Sequence, residues 1–262
     1  MKLFAFTLDL ESDYAGVVNR YGIFRDSEKI EKLLSLLASL DIKITVFAVG
    51  EILDSYPDII RIFEKYNCEF EPHSHSHNFS RPDSESEISR CREAYFNYFK
   101  RYPSGYRAPR GMISEIGIKL LEKHGFKYDS SIIPSYFPNP FKYLLKKRQA
   151  HYCDNSGIME IPFTVVTPFR LTLSVSYIKL LGDDFFKKAS LPDTVCFGSH
   201  LHDFICDADS FSSLPILWKF IYSVNKFKGI DYCVEFLKDV KLKGYRFCYM
   251  SEIFDKYKNN LL

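Results

Sequence analysis

Three histidines alternate in Glu71-Pro72-His73-Ser74-His75-Ser76-His77, out of seven in the whole chain. Imidazole is the commonest metal ligand near neutral pH, and two histidines with one carboxylate form a common catalytic zinc set. His73 and His77 stand at i and i+4, so one helical turn, or a turn just past a strand end, brings both rings to one point. A polar, histidine-rich surface loop is the plain alternative. What separates the two readings is whether acids, an arginine and a further histidine reach the same edge of the fold.

The elements that could deliver them are legible. Leu3 to Leu8 reads as a buried strand with Thr7, Asp9 and Glu11 on one face and Phe6, Leu8 and Leu10 on the other. Asp26-Ser27-Glu28 opens an amphipathic helix carrying Ile30, Leu33, Leu34 and Leu37. Ile42 to Val49 is a second strand, and Cys68 to Pro72 a third that ends in the histidine cluster. Ser84 and Glu87 have capping-box spacing before a helix reaching Lys100. The turn Arg107-Ala108-Pro109-Arg110-Gly111 follows, then a helix over 114–124 stopped by Gly125 and a short strand ending near Asp129. Further strands are expected over 158–163, 194–199 and 245–249, with helices near 177–188, 231–241 and 251–258.

Strand followed by helix, repeated along 262 residues with no linker or internal repeat, predicts a single α/β domain over 1–262. The expected fold is a distorted (β/α) barrel of about seven parallel strands, with an insertion or lid near 132–156. Barrel sites lie at the C-terminal strand ends. The acids after the first strand, the histidines, the arginine turn, Asp129 and Ser199-His200-Leu201-His202-Asp203 all fall there.

The formal charge of +2 offers no electrostatic case for nucleic acid as a partner. Seven cysteines without a C-x-x-C pair read as free thiols in a reducing compartment. The apolar start is too brief for a cleaved signal and no stretch is long enough to span a bilayer, so a cytoplasmic location is expected.

The motifs, in order, resemble those of the polysaccharide deacetylases (carbohydrate esterase family 4, the NodB-homology fold). Thr7-Leu8-Asp9-Leu10-Glu11 is similar to the family's first motif, usually Thr-Phe-Asp-Asp. His73 to His77 matches the second, Arg107 to Gly111 resembles the third, Tyr128-Asp129-Ser130-Ser131 the fourth, and Leu201-His202 the fifth. The resemblance implies a divalent metal, usually zinc, and hydrolysis of an N-acetyl group from an amino sugar. Carried over by position, it implies His73 and His77 as metal ligands, Asp9 as general base oriented by Arg107, and His202 as general acid. Asp129 would tune the acid side, and the backbone N–H of Arg110 would help hold the oxyanion. Leu10 replaces the family's second aspartate and cannot bind metal. Strand alternation puts Glu11 on the face of Asp9, so Glu11 is expected as the third ligand, with Asp13 in reserve. His75, between the ligands, is expected to point elsewhere, and His200 to pack or line the substrate.

This set suits amide hydrolysis. Three protein ligands leave positions open on the metal, an adjacent carboxylate can accept a proton from water, and an imidazole can protonate the departing amine. Within the insertion, Phe137, Phe141, Leu144 and Leu145 share one helical face, with Lys142, Lys146, Lys147 and Arg148 on the polar side. A lid packed on the barrel is favoured there; a peripheral membrane contact through 136–148 is the sharper alternative. The expected substrate is a nucleotide- or lipid-linked amino-sugar intermediate of surface polysaccharide synthesis. The rival readings are a deformylase or cyclic-amide hydrolase on the same fold, a non-catalytic sugar-binding homologue, and a metal-dependent phosphoesterase.

Overall fold

The computed structural model describes residues 1–135, 146–166 and 170–260. Its strands are β1 (Lys2–Leu10), β2 (Ile44–Ala48), β3 (Glu69–Pro72), β4 (Gly105–Tyr106), β5 (Tyr128–Asp129), β6 (His151–Tyr152), β7 (Met159–Glu160), β8 (Val165–Val166), β9 (Leu171–Thr172), β10 (Thr194–His200) and β11 (Tyr245–Phe247). β1 is buried along its length after Lys2, and its alternation divides two cores. Phe4, Phe6, Leu8 and Leu10 face the layer of helices, where they meet Ile30, Leu34, Phe197 and Phe236. Leu3 and Ala5 face inward, with Phe47, Tyr128, Met159, Ile161 and Phe163. Thr7 and Asp9 continue that inward face toward the C-terminal end, so one strand carries a dry barrel floor and a polar mouth.

β1 pairs in parallel with β10 on one side and with β2 and β11 on the other, and β2 pairs with β3. β4, β5 and β7 form a second parallel run, with β6 antiparallel at its edge. Two backbone bonds join the runs: Arg107 N donates to Pro72 O at 3.1 Å, and Thr164 N to Cys196 O at 3.0 Å. β1 to β5, β7 and β10 thus supply the parallel staves of a distorted barrel among the described residues, as the strand–helix alternation predicts. β8 and β9 form a small antiparallel pair beside it.

Differences from expectation have local causes. Gly105–Tyr106 is a two-residue stave, too short to show alternation. The helix expected over 177–188 is two helices, Val175–Leu181 and Asp183–Lys187, parted at Gly182 with φ of 85°. Helices Gly50–Ser55 and Ile216–Ser223 were not expected. The predicted lid face of Phe137, Phe141, Leu144 and Leu145, with Lys142, lies outside the described residues. Lys146, Lys147 and Arg148 beyond it are exposed.

Candidate metal centre and catalytic cleft

The histidine loop leaves β3 at Pro72 and is held from both sides. His73 N donates to Ala48 O at 2.8 Å, and Gly50 and Glu51 amides donate to the Ser74 and His75 carbonyls at 3.0 and 2.9 Å. Gly50 is required by closeness: a Cβ there would lie 2.9 Å from the His75 ring and 3.1 Å from its Cα. Ser74 and His77 take left-handed backbone conformations, φ 59° and 56°, which fold the loop back on itself. Glu87, in helix Glu85–Phe99, completes the frame. Its amide donates to Ser84 Oγ as the cap spacing predicts, but its carboxylate turns to the loop instead of back to Ser84. It accepts from His75 N at 2.9 Å, Ser76 N at 2.8 Å and Ser76 Oγ at 2.6 Å.

His73 Nδ1 donates to Arg107 O at 2.8 Å, which fixes the tautomer and turns Nε2 toward Glu11. Glu11 Oε2 is 3.5 Å from His73 Nε2 and in contact with His77 Nε2. One donor atom from each of Glu11, His73 and His77 lies within 4.8 Å of the others. Glu11 Oε1 is buried without a hydrogen-bond partner. A stranded polar atom of this kind is costly, and a divalent cation between the three side chains would satisfy it. Burial would raise the Glu11 carboxyl, but the charge of His77, hydrogen bonds from His73 and His77 and the charge of His200 hold it well below the usual carboxylate range. The donor set therefore fits a divalent metal.

Asp13 is occupied elsewhere. It accepts from Gly22 N at 2.9 Å, Ile23 N at 3.4 Å and Ser210 Oγ at 2.5 Å, which makes it the clamp of the loop after β1. His75 faces away from the centre, with Nε2 3.4 Å from Asp54 Oδ2.

Arg107 is 1% exposed and organises the other half of the cleft. Its guanidinium lies between the rings of Phe47 and Phe163, at 3.9 and 4.2 Å from their centroids. It donates to Asp9 Oδ1 at 2.6 Å, Thr7 Oγ1 at 2.8 Å, and Ser130 O and Oγ at 3.0 Å. Asp9 Oδ2 is left facing the cleft, 4.0 Å from His73 Nε2.

The histidine opposite Asp9 is His200. The two are Cα partners in the β1–β10 register. His200 Nε2 lies 3.8 Å from Asp9 Oδ2 and 3.6 Å from Glu11 Oε1, and Nδ1 lies 3.5 Å from Asp203 Oδ2. Asp203 is itself fixed, accepting from His200 N at 2.9 Å and Ser176 Oγ at 2.8 Å. Burial would lower the His200 imidazole, but Asp203, Glu11 and Asp9 carry it up to about 9. His202, the expected acid, does not line the cleft. Alternation would keep it on the face of His200, but the chain leaves the strand after His200 into a 3₁₀ turn, Leu201–Asp203, that swings it behind. There it stacks on Tyr14 and on His200, with centroids 5.4 and 4.8 Å away, and burial depresses its imidazole to about 3.

Asp129 also stands apart from the acid side. It accepts from Ser131 Oγ at 2.6 Å, and that hydroxyl accepts from Ala108 N at 2.7 Å, so Asp129 supports the arginine turn from below. Burial raises Asp129, and raises its neighbour Glu160 well above the usual range. Arg110 is exposed at the mouth, φ 54°, with its guanidinium 3.8 Å from the Phe79 ring centroid. The turn is closed by the Gly111 and Met112 amides on Ala108 and Pro109 carbonyls, not by the Arg110 amide. Asp9, Glu11, His73, His77, Arg107, Arg110 and His200 line one cleft of about 190 Å³.

Glu87 and Glu160 were not anticipated at the site, and Asp203 was expected at the barrel edge but without a role. Glu87 had a signal that pointed to a helix cap; Asp203, three residues after His200, had one in its spacing; Glu160 had none.

Residues 18–128 match the family described as polysaccharide deacetylase. A peptidoglycan deacetylase of Helicobacter pylori is 28% identical over 120 residues, 44% of this chain and 41% of that protein's length. Among solved structures, a Mycobacterium smegmatis protein described as a candidate polysaccharide deacetylase superposes with a TM-score of 0.64 at 18% identity, covering 100% of this chain and 92% of that one. An allantoinase superposes at 0.63 and 14% identity, covering 97% and 89%. The Bacillus cereus polysaccharide deacetylase Bc1974 superposes at 0.55 and 15%, covering 95% and 92%. Residues 18–128 are thus similar to the polysaccharide deacetylase family, and the fold of the chain is the barrel of those structures.

Proposed function

We propose that this protein is a metal-dependent hydrolase that removes the N-acetyl group from an amino-sugar derivative. The observation that carries the reading is the meeting of Glu11, His73 and His77 within 4.8 Å, beside an aspartate that a buried arginine holds at 2.6 Å.

Glu11, His73 and His77 would hold the ion, zinc being the expected one; when bound, such an ion polarises a carbonyl oxygen and makes water a stronger nucleophile near neutral pH. The rest falls to the chain. Arg107 occupies Asp9 Oδ1, which leaves Oδ2 as the atom that takes a proton from the attacking water. His200, whose imidazole Asp203, Glu11 and Asp9 raise against burial, stands across from Asp9 Oδ2, where it would deliver a proton to the departing amine. Asp203 keeps the imidazole oriented. The acyl carbon gains the water oxygen, the C–N bond breaks, and acetate and a free amino sugar result. Arg110 lines the cleft at its mouth, and its amide would meet the acyl oxygen while its side chain would meet an anionic carrier. Thr172, Ser174, Ser176 and Tyr177 line the opposite wall and offer hydroxyls to a sugar ring.

A nucleotide- or lipid-linked intermediate of surface polysaccharide synthesis is the proposed substrate, in the cytoplasm. Seven free cysteines support a reducing compartment. No helix among the described residues is long and apolar enough to cross a membrane.

The test is acetate release from N-acetylated sugar nucleotides, polyprenyl-linked amino sugars and peptidoglycan fragments, with metal stoichiometry measured on the same preparation. Formate release or cyclic-amide opening without acetate would move the reaction to the rival hydrolase reading. Metal binding without turnover on any substrate would favour a sugar-binding homologue.

A further inference from the structure

Helix Ile216–Ser223 has no buried residue. Ile216, Leu217 and Phe220 are 88%, 64% and 71% exposed, and Phe227 just beyond is 82% exposed. The i, i+1, i+4 spacing of the first three gathers them in one stripe. The other side is anchored: the Tyr222 ring packs on Tyr14 and His202, centroids 5.1 and 5.2 Å away, and Trp218 stacks on Tyr222 at 6.0 Å. The outward aim of the stripe is therefore set by packing against the barrel mouth.

Apolar surface this concentrated usually marks an interaction site. Its composition indicates the occupant. From Leu214 to Lys228 the charged residues are Lys219, Lys226 and Lys228, without an acid. Aliphatic side chains, a tryptophan and lysines together are the makeup of an interfacial segment: apolar groups enter the acyl boundary, tryptophan prefers the headgroup level, and lysines meet anionic lipid. A second copy of the chain fits less well, because a symmetric contact through this face would bring two sets of lysines together.

We propose that helix Ile216–Ser223 with Phe227 is a membrane-docking face that enters the headgroup region of an anionic bilayer. Through Tyr222, Tyr14 and His202 the face is joined to His200, so docking sets the catalytic cleft beside the bilayer. Its further meaning, that the sugar acted on is carried by a lipid in that membrane, rests on the deacetylase reading.

Trp218, the chain's single tryptophan, lies on the anchored side of the same helix and is 37% exposed, so its emission follows the surroundings of the helix. The full chain is mixed with vesicles of phosphatidylglycerol and phosphatidylcholine, or of phosphatidylcholine alone, without substrate. The expected results are flotation with the anionic vesicles, a blue shift of Trp218 emission, and quenching by brominated lipid. Ile216→Glu/Phe220→Glu should weaken partitioning at least tenfold with unchanged circular dichroism and melting temperature. Lys226→Glu/Lys228→Glu should remove the preference for anionic lipid. Absence of flotation, equal flotation of the Ile216→Glu/Phe220→Glu variant, or a concentration-dependent dimer that this variant abolishes would overturn the proposal. Because the assay contains no substrate, such a failure is separate from failure to release acetate.

Discussion

Asp9 and His200 face each other across the parallel β1–β10 pair, their side chains meeting at 3.8 Å between Oδ2 and Nε2. The proposed base and acid would thus be set by strand register, on rigid elements, with no loop between them.

The first prediction concerns which histidine supplies the proton. His200→Gln should lower kcat by about 10²–10⁴-fold, the usual range for a general acid, with metal content unchanged. His202→Gln should lower kcat less than about tenfold while the protein is folded. Steady-state kinetics of both variants, with metal analysis, decide it; the reverse order would return the acid role to His202.

Glu11 and Asp13 should separate cleanly. Glu11→Gln should bring metal stoichiometry close to zero at limiting metal, with the fold retained. Asp13→Asn should keep the metal but destabilise the protein by about 1–3 kcal/mol, because a buried set of hydrogen bonds is disturbed. Elemental analysis and denaturant melts read the two effects, and loss of metal in Asp13→Asn would overturn the ligand assignment.

Glu87 touches none of the expected ligands, yet it holds the His75 and Ser76 amides at 2.9 and 2.8 Å. Glu87→Ala should weaken metal affinity by about 10–100-fold, the scale seen for supporting partners of ligands. Competition with a chelator measures it. Unchanged affinity would mean that the loop is set by Gly50 and the barrel alone.

His202 gives a pH signature in stability. Its imidazole is near 3 in the folded chain and about 6.5 in an unfolded one. Between those values the unfolded chain binds a proton that the folded chain does not, so stability is full above about pH 6.5 and falls as pH drops. The slope approaches about 1.4 kcal/mol per pH unit. Urea melts from pH 4 to 7 should show a shallower dependence in His202→Phe than in the wild type. Equal slopes would mean that His202 is not buried as a neutral ring.

Much of the barrel was legible because β1 carries its two faces in plain alternation, and because His73, His77 and Arg107 stand in compact motifs. The same alternation sets Glu11 with Asp9, and the structure brings Glu11 to His73 and His77. What alternation could not give was the end of a strand. It grouped His200 with His202, yet the turn at Leu201–Asp203 separates them. The two-residue stave Gly105–Tyr106 has too few positions to carry a period. Helix Ile216–Ser223 is eight residues with only Lys219 and Ser223 polar, too short a run for periodicity to mark. Asp129 sits beneath the arginine turn through Ser131, a contact made by chain folding alone.

Arg107 serves both halves of the cleft with different parts of itself. Its carbonyl orients His73 and its guanidinium orients Asp9. The two are geared together: a displacement of this one residue from the edge of β3 would detune ligand and base in a single motion. Under the proposed mechanism the site would have no half-assembled form in which the ion is held correctly while the base is adrift. Loosening the seam between the two runs of strands would switch off the chemistry as a unit.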